Sequence, residues 1–248
     1  MIRMDVPQRR PIMENYLEPK ESRRNFLVKG GMLLAAAGLL GAGCSPGAKK
    51  ETMSSTIPPT EDLMREHGVL NRIMLVYDEI ARRLRFEEEF PSEVLAAGND
   101  ITRRFIQDYH EKSEENYLFN KFSNAGKMVE PVAILYQQHL AGRKLIEEIN
   151  SANTKENMRN PAKRLRVAEY LITFNQLFRH HAAWEDTVLF PAFRSIIPGK
   201  DFAALGETLE KDENKLFGAD GFAKIVGQVA ELEKKLGIYD LKQYPQKL

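Results

Sequence analysis

A His-x-x-x-Glu pair that occurs twice constrains this chain more than any other feature. One copy is His110 and Glu114 in 106-IQDYHEKSEENYLFNKF-122, and the other is His181 and Glu185 in 177-LFRHHAAWEDTVLFPAF-193. His110 to His181 is an offset of 71, and His67 to His139 an offset of 72. A helical pair carrying His, then His-x-x-x-Glu, therefore repeats. Residues i and i+4 stack on one face of a helix, so each His and its Glu point the same way.

Each of these residues lies in an apolar stripe with helical period. The stripes run Leu63, His67, Leu70, Met74; Ile106, His110, Glu114, Tyr117; Leu135, His139, Gly142, Ile146; and Phe178, His181, Glu185, Val188. The first helix is expected from Thr60, with Thr60 as its N-cap, up to a charged segment at 83–92. The second follows, capped by Ser92, and runs to Phe122. The third covers 130–151, the polar stretch 151–160 reads as a loop, and the fourth covers 161–195, ended or kinked at Pro191. Two shorter amphipathic helices are expected at 201–215 and 219–236. No β-alternating stretch of useful length interrupts them, so the expected fold is all-α, an antiparallel four-helix bundle with two additional C-terminal helices.

Such a bundle buries one stripe per helix, which here means burying four imidazoles and two carboxylates. An unpaired buried carboxylate costs several kcal/mol, and no arginine lies on the same stripes. A pair of divalent ions resolves the conflict. Four imidazoles and two carboxylates suit two ions about 3.5–4 Å apart, each taking two nitrogens and both glutamates bridging, with positions left for a bridging oxo or hydroxo group and an outside ligand. The expected metal ligands are His67, His110, Glu114, His139, His181 and Glu185. His180 lies about 100° around the helix from His181, with Trp184 at i+4 in place of a carboxylate, and is expected near the surface or behind the ligands. Glu111 reads as a solvated helix charge with the option of a carboxylate near the metal. Tyr109, Tyr117 and Tyr136 are candidates to hydrogen-bond into the site. The single cysteine excludes a Cys-rich zinc site or an iron–sulfur cluster held by the chain's own thiolates. Imidazole and carboxylate suit iron, manganese or zinc.

The rest of the chain concerns destination. Residues 1–43 combine a basic stretch, 22-SRRNFLVK-29, with the uncharged 30-GGMLLAAAGLLGAG-43, and resemble a twin-arginine export signal. Cys44, after small residues, resembles a lipoprotein processing site, although Gly41 stands where Leu is usual. The alternatives are cleavage nearby or a retained anchor. Residues 44–59 are Ser/Pro/Thr-rich and read as a flexible tether. The bundle then spans 60–195 and the helical extension 196–248. A net charge of +1 with mixed signs gives no nucleic-acid signal.

The motifs 66-EHGVL-70, 110-HEKSE-114, 138-QHLAG-142 and 181-HAAWEDTVLFP-191 resemble the hemerythrin-like (HHE cation-binding) family. That resemblance implies a non-heme di-iron centre on the six residues named above. Oxygen-carrying members use five histidines, with a His-x-x-x-His pair on the third helix. Here Arg143 stands four residues after His139, which is closer to the bacterial di-iron proteins of nitrosative stress and iron-centre repair. The expected function is an exported di-iron protein of the envelope that binds or reacts with oxygen, nitric oxide or peroxide for sensing, scavenging or stress protection. A metal store or donor and an apo interaction module tethered at the envelope are the alternatives, and whether turnover occurs stays open.

Overall fold

The computed structural model describes residues 57–245. The expected signal segment 1–43, Cys44 and all but the end of the 44–59 tether lie outside the described residues. Helix α1 is Pro59–Phe86. Helix α2 starts as Ser92–Ile101 and continues without a break through Thr102–His110, Glu111–Ser113, Glu114–Phe119 and Asn120–Asn124. Helix α3 is Val129–Ala152, α4 the short Lys155–Arg159, and α5 runs through Pro161–Trp184, Glu185–Leu189 and Phe190–Ile196. Helices α6, Gly199–Phe217, and α7, Gly221–Leu236, complete the main elements. No strand occurs among the described residues. None of their helices is long and apolar enough to cross a membrane.

Several boundaries depart from the sequence expectation for local reasons. Helix α1 starts at Pro59, which supplies a preset φ where no N–H partner is needed, so Thr60 lies inside the first turn rather than capping it. It runs past the charged stretch to Phe86 and ends on Glu87 in the left-handed conformation, φ 58°. Ser92 is the first residue of α2 and makes no side-chain cap. The expected loop 151–160 contains α4, whose start is capped by the Thr154 hydroxyl accepting from the Asn157 N–H. Pro191 neither ends nor breaks α5. A π-helical stretch, Glu185–Leu189, comes directly before the segment carrying this proline, and the helix continues to Ile196.

The core forms two apolar clusters. One holds Leu70, Ile73, Tyr77, Phe105, Tyr109, Ile146, Phe174 and Phe178. The other holds Leu63, Leu118, Phe122, Leu135, Leu189, Phe190 and Phe193. Helices α1 and α3 run from the second cluster to the first, while α2 and α5 run the opposite way. The up-down-up-down order follows from short connections, which favour antiparallel neighbours. Helix α7 packs on α1 and the start of α2. It is tied down by two hydrogen bonds from Arg72 to Glu233, at 2.9 and 2.6 Å.

Candidate metal centre

Every bundle helix crosses from one apolar cluster to the other through its histidine or His-x-x-x-Glu pair. The polar residues thereby form a belt between the clusters. His67, His110, Glu114, His139, His181 and Glu185 are all buried, none more than 3% exposed. π-helical stretches end at His110 and begin at Glu114 and Glu185. A π turn accommodates an extra residue and re-aims side chains locally, a device concentrated at functional sites.

The six side chains converge. The Nε2 atoms of His139 and His181 lie 3.1 Å apart. Glu185 Oε2 is 3.1 Å from His181 Nε2 and 3.4 Å from His67 Nε2. Glu114 Oε2 is 3.4 Å from His139 Nε2 and 3.8 Å from His110 Nε2. Each carboxylate therefore stands between one histidine of the α1–α2 pair and one of the α3–α5 pair, the placement a bridging ligand requires. Glu114, His139, His181 and Glu185 bring one ligand atom each within 4.8 Å of one another, and so do His67, His110 and Glu114.

The outward faces of the imidazoles are also occupied. His67 Nδ1 lies 2.7 Å from Asp186 Oδ1, and His110 Nδ1 lies 2.6 Å from Glu66 Oε2. His139 Nδ1 is 3.1 Å from Glu115 Oε1, and His181 Nδ1 is 2.9 Å from Gln138 Oε1. An acceptor at Nδ1 places the ring proton there and turns the Nε2 lone pair inward, the arrangement that orients metal-binding histidines. Phe190 and Phe119 stack on His67 and His139, with ring centroids 5.6 and 5.5 Å apart, and restrict ring rotation. These four outer partners are absent from the sequence expectation.

The inner atoms lack such partners. His67 Nε2 and both carboxylate oxygens of Glu114 and Glu185 are buried without a hydrogen bond. Burial pushes Glu114 well above the usual carboxyl range, and the Glu185 charge adds to it. Burial also acts to raise Glu185, but His181 and His67 overcome it and hold this carboxyl low. Burial drives His110 well below its ordinary value, with the nearby His67 charge adding to it, and brings His139 to about 4. Burial opposes the His67 cation, yet Asp186 and Glu185 raise it to about 9. Inward lone pairs and buried, orphaned carboxylates are a donor set that fits hard or borderline divalent metal.

His180 is exposed, its Nδ1 directed at the Gln176 carbonyl 2.8 Å away, and stands outside the belt. Glu111 differs from the expected solvated charge: it is 1% exposed and lies 2.7 Å from Arg143 Nη2. Arg143 Nη2 also reaches Glu115 at 2.6 Å. An arginine does enter the belt's edge, one turn from His139, but it serves Glu111 and Glu115. Tyr117 bonds to Asp212 at 2.9 Å, Tyr109 points to the Leu209 carbonyl at 3.4 Å, and Tyr136 is exposed. Neither hydrogen-bonded tyrosine donates to one of the six inner residues.

The family model of the hemerythrin HHE cation-binding domain matches residues 59–192, and matches again over 131–236, beginning about one repeat length downstream. Uncharacterized proteins of Mycobacterium bovis and Mycobacterium tuberculosis are 39% identical over 220 residues, covering 85% of this chain and 86% of theirs. No solved structure matches the chain. With the family match running through all four helices that carry the buried histidine and glutamate belt, the chain belongs to the hemerythrin HHE cation-binding domain family.

Proposed function

We propose that this is an exported non-heme di-iron protein that binds or reacts with oxygen, nitric oxide or peroxide at the envelope. The observation that carries the reading is the double orientation of the belt. Four imidazoles are held from outside at Nδ1, while their Nε2 atoms meet two buried carboxylates. An apo interaction module gains nothing from burying Glu114 and Glu185 without partners, a cost of several kcal/mol each.

His67, His110, His139 and His181 would supply the nitrogens, and Glu114 and Glu185 the bridging carboxylates. Bound iron supplies redox chemistry toward small oxygen- and nitrogen-centred molecules. The two apolar clusters exclude water from either side of the belt. Asp186, Glu66, Glu115 and Gln138 hold the four rings from outside and fix their orientation. The contrast with five-histidine carriers lies at Arg143, which sits where a further nitrogen ligand would be and pairs with carboxylates instead. One fewer imidazole suits reactivity over stable reversible carriage. The twin-arginine-like segment 22-SRRNFLVK-29 supports export of the folded, loaded protein, and Cys44 supports a lipid anchor.

The test is metal analysis of the purified 45–248 fragment with optical spectra of oxidised and reduced forms exposed to oxygen, peroxide and nitric oxide. About two irons per chain and ligand-to-metal bands are expected. Less than about one metal per chain, or no spectral response to any of the three, refutes the proposal.

A further inference from the structure

Helix α3 is apolar on two faces. Its inner face carries Leu135, His139, Gly142 and Ile146, all buried. Gln137 lies about 180° around the helix from Ile146 and marks the centre of the outer face. Around it stand Ala133, Ile134, Leu140 and Ala141, every one exposed, with exposed Glu130 and Lys144 beyond them. Val129 and Tyr136 widen the apolar strip at one flank. Val129, Ile134, Tyr136 and Leu140 are 52, 47, 40 and 40% exposed, and no other described helix exposes more than two large apolar side chains. A helix apolar all round is ordinarily a buried one, and a contiguous exposed apolar strip marks an interaction surface. The strip's pattern says what covers it. Glu130, Ile134, Gln137, Ala141 and Lys144 are spaced 4, 3, 4 and 3 residues apart, the alternation of a coiled-coil seam. Glu130 and Lys144 stand seven residues from Gln137 on opposite sides and carry opposite charges. Neither is paired with another described residue. The face is thus complementary to itself in charge and in apolar content.

We propose that the chain forms a homodimer in which the α3 helices of two copies pack antiparallel about a twofold axis at Gln137. That register sets Ile134 opposite Leu140 of the second copy, Ala133 opposite Ala141, and Glu130 opposite Lys144. Each contact occurs twice by symmetry. The alanines let the helices approach closely, and a polar residue in the seam, here Gln137, fixes its register. The seam from Glu130 to Lys144 is only about four turns long. An interface of that extent falls at the small, reversible end of protein contacts, so association depends on concentration. The dimer stands apart from the reading of the belt, because His139 lies on the opposite face of α3 and none of the six inner residues enters the seam.

Sedimentation equilibrium of the metal-loaded full chain, with reductant to keep Cys44 from crosslinking, tests it. The mass is expected to rise from one chain toward two with a dissociation constant on the order of 10 µM. Glu130→Lys puts two like-charge pairs into the seam and is expected to weaken association about tenfold, and Lys144→Glu likewise. Both changes in one chain restore opposite charges across the axis and with them the wild-type association. Mixing the two single variants in equal amounts also restores it, as a heterodimer. Both side chains are exposed, so circular dichroism and belt metal content should stay as in the wild type. A monomer at every concentration up to millimolar overturns the dimer. So does association that neither single change weakens, as contact through the apolar segment 30–43 would give, or a doubly substituted chain that fails to recover. Loss of belt metal with the dimer intact would instead refute the di-iron reading alone.

Discussion

Replacing Asp186 tests whether the outer hydrogen bonds hold the histidines for metal. Asp186 Oδ1 accepts from His67 Nδ1 at 2.7 Å, and its side chain is 33% exposed. A hydrogen bond to a charged group contributes roughly 1.5–3 kcal/mol net and a neutral one roughly 0.5–1.5. Partial exposure places this bond at the lower end of its range. Asp186→Asn keeps an acceptor and loses the charge, so metal binding weakens by about 1 kcal/mol, roughly fivefold. Asp186→Ala leaves the buried Nδ1–H unsatisfied and frees the tautomer, costing about 2 kcal/mol, roughly thirtyfold. Gln138→Ala removes a neutral acceptor from His181 and should cost about as much as Asp186→Asn. The assay is competition with a chromophoric chelator, with circular dichroism to verify folding. Asp186→Ala binding metal within twofold of wild type, in a folded protein, would refute the idea that outer partners set affinity.

Arg143→Met leaves the buried Glu111 carboxyl without its hydrogen-bond partner and should cost about 1–3 kcal/mol in urea unfolding, most of it recovered by adding Glu111→Gln. Gly142→Ala places a Cβ 2.4 Å from the Phe178 ring, which packs against His181 with centroids 5.4 Å apart. It should lower stability by about 1–3 kcal/mol in thermal melts and weaken metal binding as well. Burial, the first cause in each case, raises Glu66 and Glu111 to about 8 in the metal-free protein. A carboxyl raised in the folded state stabilises below its unfolded value and loses that contribution as pH rises through the folded one. Between pH 6.5 and 8, His110 and His139 are essentially neutral in the folded state and increasingly so in the unfolded one. The melting temperature of chelator-treated protein should therefore fall across that window, whereas metal-loaded protein should hold or rise because binding releases protons. A melting temperature of the metal-free form that rises over the same range would contradict the assigned burial.

The sequence alone determined the long helices, though not their ends or the short α4, and which residues share their inner faces, because these follow from local periodicity. An i, i+4 pair shares a face whatever the helix packs against, so His110–Glu114 and His181–Glu185 could be read directly, and the 100° step separated His181 from His180. Burying all four stripes then forced the six side chains inward. The tertiary structure decided what stands behind them. Asp186 meets His67 from 119 residues away, Glu66 meets His110 from 44, and Gln138 meets His181 from 43. Those contacts depend on the axial register and rotation of neighbouring helices, which interlocking side chains set and no single helix encodes. The same packing turned Glu111 from a presumed surface charge into a buried partner of Arg143. It also brought α6 close enough for Glu213 to join Asp62 and Glu66. The repeated His-x-x-x-Glu names the belt; the packing of the bundle supplies the charges that orient it.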